Sequence, residues 1–339
     1  AFPLRMVYMQ TKHTSEFPAQ VGVSVPKRNF KLAVDRNRIK RLLRETYRKH
    51  KYIVYDKLDV PYVYMISYLG KEEQKYIDIE SKMEKLSIVK IGGNIIEDES
   101  ALQAFLKLFT NLKGHKILVH GGGKRATHIA SKLGIESKMV NGRRITDAET
   151  LEVITMVYGG LVNKNIVAKL QALHIDAIGL TGADANVITS DKRPVKEVDF
   201  GFVGDVKNVA HQSINKLLEA GFTPVFCAIT HDGNGQLLNT NADTIASQVA
   251  AGMSNLYETS MYYCFELNGV LKDINDKNSV IKHIDSKLYR QLLDDGIIAD
   301  GMLPKLENCF DALKNGVRTI NMGNTAMLTQ ENDNFTRIT

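Results

Sequence analysis

The apolar and polar positions along the chain follow two different rhythms. Within residues 1–82, short runs rich in β-branched and aromatic residues at 4–9, 20–25 and 60–68 read as strands. Between the second and third of these, from about Val34, the residues Ile39, Leu42, Leu43 and Tyr47 recur at helical spacing and predict an amphipathic helix. Residues 72–86 read as a closing helix. From residue 87 onward strands and helices alternate. Strands are predicted at 87–91, 116–120, 177–180, 223–228 and 260–265, and helices at 99–112, 124–133, 149–172, 211–220 and 241–253. That alternation predicts an α/β class, a mainly parallel open sheet sandwiched by helices, preceded by a small α+β domain. There is no internal repeat.

The join between the two parts is abrupt. The predicted helix ending at Leu86 runs straight into the strand at Ser87, without the Pro-, Gly- or Ser-rich linker usual at a domain boundary. Residues 83–90, beginning at Met83, also read as the start of an independent protein. The expected organisation is a shortened unit of residues 1–82 fused to a complete second protein of residues 83–339.

Composition sharpens this division. Of 339 residues, 44% are hydrophobic and 24% charged, which excludes disorder. No apolar run approaches the roughly 18–20 residues of a membrane span, and no signal segment opens the chain. Three cysteines, Cys227, Cys264 and Cys309, argue for a reducing, cytoplasmic setting and against a disulfide scaffold or a cysteine metal site. The net charge of +6 is unevenly spread: residues 1–82 carry 17 Lys or Arg against 9 acids, and the remainder 27 against 29. A basic piece joined to a nearly neutral one points to nucleic-acid binding in the first part.

The charge concentrates between residues 27 and 51, where 11 Lys or Arg face two acids. On a helix Arg36, Lys40, Arg44 and Arg48 form one stripe opposite the apolar face. Like charges at that spacing repel, so the stripe is suited to a polyanion. A solvated basic face is the plainer alternative, and the dominance of arginine disfavours it. The string Asp35-Arg36-Asn37-Arg38-Ile39-Lys40-Arg41-Leu42-Leu43-Arg44-Glu45, preceded by Val21-Gly22-Val23-Ser24-Val25-Pro26-Lys27-Arg28, resembles the signature of the ribonuclease P protein family. The resemblance spans about residues 1–82 and lacks the family's first helix. It implies RNA binding by Arg36, Asn37, Arg38, Lys40, Arg41 and Arg44, with ribonuclease P RNA or precursor tRNA as partner and no catalytic residue of its own.

In the second part, two glycine turns follow strands: Lys90-Ile91-Gly92-Gly93-Asn94, and His120-Gly121-Gly122-Gly123-Lys124 leading into a helix. Such turns let a backbone approach phosphate closely, and a helix N-terminus favours an anion. Gly121-x-Gly123-x-x-Ala126 fits a dinucleotide-binding pattern, which leaves an NAD-dependent enzyme as a rival reading. A P-loop fails because Lys124 is followed by Arg125, and no Gly-x-Ser-x-Gly elbow exists. No His-Glu-x-x-His or Cys-x-x-Cys metal pattern occurs.

Three further segments matter: Asn141-Gly142-Arg143-Arg144-Ile145-Thr146, Leu238-Asn239-Thr240-Asn241-Ala242-Asp243, and Ala299-Asp300-Gly301-Met302-Leu303-Pro304-Lys305. Singly, each has a plain reading as a loop arginine, a capping asparagine or a surface lysine. Together and in this order with the glycine turns, they resemble the amino acid kinase superfamily, and within it the N-acetylglutamate kinases, from Met83 to the C-terminus. The resemblance implies ATP with Mg²⁺, and phosphorylation of the side-chain carboxylate of N-acetyl- or N-succinylglutamate in arginine biosynthesis. It implies an acylglutamate-binding part at about 83–255, a nucleotide-binding part at about 256–339, and a homodimer through the kinase domain.

By the same resemblance Lys90 and Lys305 stabilise the transferring phosphoryl group and Asp243 orients them. Gly92, Gly93, Gly122 and Gly123 offer N–H groups to oxygens. Arg144 grips the α-carboxylate, and Asn239 and Asn241 position the substrate. The turn Gly182-Ala183-Asp184 is a weaker phosphate-side candidate. Where the family often has an Asp at a strand end near the nucleotide, this chain has Tyr263-Cys264-Phe265-Glu266.

Overall fold

The computed structural model describes residues 3–13, 15, 17–55, 58, 60–70, 84–140, 143–273, 275–298, 302–329 and 332–339. The chain divides into two compact units, Ala1–Glu84 with Leu256–Glu258, and Lys85–Asn255 with Thr259–Thr339.

The first unit is a three-stranded sheet with a helix. Strands β1 (Leu4–Gln10), β2 (Ala19–Ser24) and β3 (Tyr62–Tyr68) pair in the order β1-β3-β2. β3 is antiparallel to β1 and parallel to β2. Parallel neighbours need a long crossover, and the helix Ala33–Tyr55 supplies it. Its Ile39 and Leu43, one turn apart, pack with Ile66 and Tyr68 of β3, and Val25 and Phe30 complete the core. Burying each such side chain contributes about 1.5–3 kcal/mol. The predicted closing helix needs correction at its end. Lys85 and Leu86 open a strand, β4 (Lys85–Ile91), because Leu86, Ile88, Val89 and Ile91 form a run buried on both faces. Residues 72–83 of that prediction lie outside the described residues.

The second unit begins with β4 and continues with β5 (His115–His120) and a short antiparallel pair, β6 (Met139–Val140) and β7 (Arg143–Arg144). Next come β8 (Ala177–Leu180), β9 (Ile188–Lys192), β10 (Gly204–Val209) and β11 (Thr223–Cys227). They are followed by β12 (Ile229–His231), β13 (Leu237–Asn239) and β14 (Glu258–Cys264). The last are β15 (His283–Ile284), β16 (Thr319–Gly323) and β17 (Thr336–Ile338). Eight of these form the main sheet, in the order β15-β17-β16-β14-β4-β5-β11-β8. β4, β5, β11 and β8 run parallel, as do β14 with β16, while β16 and β17 are antiparallel. The predicted mainly parallel sheet is therefore present. In the β4–β5 register Ile91 lies opposite His120, so the two glycine turns leave the sheet side by side at the carboxyl ends of adjacent strands. Carboxyl ends of parallel strands are where open α/β sheets bind ligands.

Several features escaped the sequence pattern, among them the strands β15, β16 and β17 at one side of the main sheet. A second sheet of four short strands, in the order β10-β9-β12-β13, forms separately. The single helix expected at 149–172 is helical throughout but changes its winding. It runs as α-helix over Ala148–Ile154, π-helix over Thr155–Val162 and α-helix over Asn163–Ala172. Among the described residues no helix is long and apolar enough to cross a membrane.

Candidate active site

The two glycine turns border a cavity of about 200 Å³. Lys90, Gly92, Gly93, Asn94, Lys124, Tyr263, Cys264, Phe265, Glu266 and Lys305 line it. The first turn enters by its missing side chain. A Cβ on Gly92 would stand 3.3 Å from the Cys264 carbonyl oxygen, whereas Gly93 faces open space. The expectation that the Gly92 N–H serves a phosphate is corrected: that N–H donates to the Cys264 carbonyl at 2.9 Å, tying the turn to the end of β14. Gly93 begins the short helix Gly93–Glu97.

The charged centre consists of Lys90, Asp243 and Lys305. Lys90 projects from β4, and its Nζ lies 2.7 Å from Asp243 Oδ1, with both side chains largely buried. Asp243 stands in the first turn of the helix Ala242–Met253, where the helix dipole also favours an anion. Burial alone would push its carboxyl up, but the Lys90 and Lys305 ammoniums override that and hold it below the usual carboxylate range. Lys305 lies in the first turn of the helix Leu303–Lys314, with its Nζ 5.8 Å from the centre of the Phe265 ring. Three residues that are 62 to 215 positions apart in the chain thus meet at one centre.

The second glycine turn opens the helix Gly123–Lys132. Gly122 has φ +152°, and a Cβ there would meet Tyr158 Cδ1 at 2.9 Å. Arg144 donates to the Ser137 hydroxyl at 2.6 Å, to the Gly123 carbonyl at 3.1 Å and to the Thr127 hydroxyl at 2.7 Å. Neutral acceptors therefore hold the guanidinium beside the turn, and its fork is suited to a carboxylate. Asn239 donates to the Thr146 hydroxyl at 2.9 Å. Asn241 is corrected in part: its side-chain oxygen caps its own helix by accepting from the N–H groups of Asp243 and Thr244. Only its amide NH₂ is left for a substrate.

Beneath this turn His120 is fully buried. Its Nδ1 donates to the Gly121 carbonyl at 2.7 Å, and its Nε2 accepts from Asn163, which also donates to the Val225 carbonyl. Burial pushes the imidazole down to about 4, against a smaller opposing effect of the Gly121 carbonyl. Asp184 accepts from the Thr181 N–H and hydroxyl and is not among the residues lining the cavity. Among the described residues no group of three His, Cys, Asp or Glu could hold a metal ion. The cysteines are free and buried.

In the first unit, Asn37, Arg38, Arg41 and Arg44 are exposed, and Arg36 and Lys40 partly so. Arg36 is not fully available: its guanidinium donates to the Phe30 and Lys31 carbonyls, fastening the turn before the helix. Arg48, at the end of the stripe, pairs with Glu45 at 2.6 Å. The sequence reading missed an aromatic group on the sheet of this unit. Tyr8, Tyr62 and Tyr64 lie with ring centres 6.0–6.1 Å apart. The Tyr62-x-Tyr64 alternation was a readable signal, but Tyr8 joins them only through the β1–β3 register, in which it pairs with Tyr64.

Comparison with known proteins separates the two units in the same way. A family model described as the amino acid kinase family matches residues 85–324, and one described as ribonuclease P matches residues 2–88. The chain belongs to the amino acid kinase family. An acetylglutamate kinase of Bacteroides thetaiotaomicron is 58% identical over 237 residues, covering 70% of this chain and 92% of that protein. An acetylglutamate kinase of Cytophaga hutchinsonii is also 58% identical, over 70% of this chain and 90% of its own length. The crystal structure of smu.665 from Streptococcus mutans UA159 has 25% identity and a TM-score of 0.62, covering 75% of this chain and 98% of that one. Kinase membership removes the NAD-dependent reading of the Gly121-x-Gly123 turn. Tyr263, Cys264, Phe265 and Glu266 lie on the same cavity as the lysines.

Proposed function

We propose that residues 85–339 transfer the γ-phosphoryl group of ATP to the side-chain carboxylate of an N-acylated glutamate, a cytoplasmic step of arginine biosynthesis. The observation that carries this is the Lys90–Asp243 pair, with Lys305, at a cavity between two glycine turns. The acceptor carboxylate is already ionised near neutral pH, so no general base is required. The difficulty is bringing two anions together, and cations with N–H donors answer it. Lys90 and Lys305 face the phosphoryl oxygens, and Asp243 holds their ammoniums in place. Gly93 on the nucleotide side, and Gly122 and Gly123 on the acceptor side, let the reacting groups approach. Arg144 grips the α-carboxylate, and Asn239 with the free amide of Asn241 orients the acyl-amino group. Mg²⁺ would come in with the nucleotide and would neutralise phosphate charge there, the described residues offering no group of three His, Cys, Asp or Glu to hold it. The kinase unit acts as a homodimer, in keeping with the exposed Met156 and Leu161 on its π-helical segment. An assay of acylglutamate-dependent ADP release, run with acetyl and succinyl substrates, tests the reading and the acyl preference together.

A second activity belongs to the first unit. Residues 1–82 bind the RNA or precursor tRNA of ribonuclease P. The exposed Arg38, Arg41 and Arg44 contact phosphates, and the exposed Tyr8 with the partly exposed Tyr62, backed by the buried Tyr64, offers faces for stacking unpaired bases. Its test is RNA binding that weakens steeply with salt.

A further inference from the structure

Three lysines line the cavity between the glycine turns, and the reaction proposed above uses only Lys90 and Lys305. The third, Lys124, is the second residue of the helix Gly123–Lys132, whose first turn carries no acid. A cation there opposes the positive end of the helix dipole. Arg125 adds to the mismatch, but Glu97 at 3.9 Å offsets its charge. Lys124 has a neutral contact instead: its ammonium donates to the side-chain oxygen of Asn94. Asn94 is the residue after Gly93, so this contact spans the two glycine turns where phosphoryl donor and acceptor must meet.

The charge balance around the cavity points the same way. Asp243 pairs with Lys90, and Glu266 is the one carboxylate on the described wall. Three ammoniums against two carboxylates leave a surplus of positive charge beside a helix end that already favours an anion.

We infer that Lys124 contacts the transferring phosphoryl group directly and is a third catalytic cation, with Asn94 holding its ammonium until the nucleotide arrives. The inference rests on the phosphoryl-transfer reading. In the step, the bond between the γ-phosphorus and the oxygen bridging to the β-phosphate breaks, and its electron pair stays on ADP. One bond forms from a carboxylate oxygen to that phosphorus, and no proton moves. Lys124 comes from the Gly123 turn, the acceptor side. There its charge offsets the repulsion between the incoming carboxylate and the phosphoryl oxygens, which peaks in the transition state.

The test is Lys124→Met and Lys124→Arg in the full chain. Steady-state kinetics would be combined with binding of ADP, alone and with aluminium fluoride and N-acetylglutamate as a transition-state mimic. Lys124 is exposed, so both variants should fold, and a thermal melt checks this. Lys124→Met should lower kcat about 100-fold, the scale of losing one stabilising donor, with KM for ATP changed less than about threefold. Affinity for the aluminium fluoride complex should fall by a similar factor while affinity for ADP alone holds. Lys124→Arg should recover part of kcat. A kcat for Lys124→Met within threefold of the parent overturns the inference. So does an equal loss of affinity for ADP and for the mimic, which would make Lys124 a ground-state contact. A parent chain with no acylglutamate-dependent ADP release overturns the reaction itself, whereas an active parent with an unaffected Lys124→Met overturns only the role of Lys124.

Discussion

Asp243→Asn keeps the shape of the side chain and removes its charge. Lys90 Nζ lies 2.7 Å from Asp243 Oδ1, and the two side chains are only 14% and 12% exposed. At an effective dielectric constant of about 20, unit charges at that separation attract by about 6 kcal/mol before desolvation is subtracted. Removing one partner of a largely buried pair costs about 3–5 kcal/mol, because the other charge stays behind unpaired. Asparagine retains an acceptor oxygen, so a loss of about 3 kcal/mol is expected. The pH dependence follows from the direction of the shift. The folded carboxyl titrates below its unfolded value, so its contribution is complete above the unfolded pKa of about 4 and disappears as pH falls through the lower folded value. The deficit of the variant should therefore be flat from about pH 5 to 8 and shrink in acid. Lys90 also loses its anchor at the phosphoryl group, so kcat should fall about 100- to 1000-fold with little change in KM for ATP. Denaturant unfolding at several pH values and steady-state kinetics read both effects. A stability loss under 1 kcal/mol, or a kcat within threefold of the parent, would refute the role given to the pair.

Three further outcomes are expected. Arg144→Lys loses the planar fork beside Gly123 and should raise KM for acylglutamate about 10- to 100-fold while KM for ATP holds, as initial-rate kinetics would show. The buried, neutral His120 binds fewer protons in the folded than in the unfolded state between about pH 4 and 6.5, so the parent should lose about 3 kcal/mol as pH falls through that window. His120→Gln should flatten this part of the stability profile, and an unchanged slope would contradict the assignment. Replacing exposed Arg41 and Arg44 by Glu should weaken RNA binding across all sequences and reduce the slope of log K against log salt by about 1 for every phosphate that is no longer neutralised. An unchanged slope would remove them from the interface.

The sheet and the charged centre were legible in the sequence for separate reasons. The central strand Ser87-Ile88-Val89-Lys90-Ile91 announces itself by its β-branched apolar content, although its start at Lys85 and Leu86 was read as helix, and Lys90 near its end marks where chemistry begins. Lys90, Asp243 and Lys305 were singled out through the resemblance that their segments carry together and in order, since each segment alone has a plain reading. What was not legible depends on register or on competition for a hydrogen bond. The Gly92 N–H looks available in the sequence until β14 places the Cys264 carbonyl beside it. The oxygen of Asn241 looks equally suited to substrate or cap, and the cap wins because two N–H groups of its own helix are closest. The π-helical winding at 155–162 leaves no trace in apolar periodicity, yet it belongs to the segment that brings Tyr158 against Gly122. The tyrosine group of the first unit needed strand pairing to become visible.

The most direct measurement is trapping of the product. The full chain would be incubated with ATP, Mg²⁺ and either N-acetyl- or N-succinylglutamate in the presence of hydroxylamine, with ADP and acyl hydroxamate quantified together. Phosphoryl transfer to the side-chain carboxylate predicts hydroxamate formed one-for-one with ADP, dependent on the acylglutamate, and abolished in Lys90→Ala and Lys305→Ala. ADP released without hydroxamate, or no acylglutamate dependence with either substrate, would contradict it.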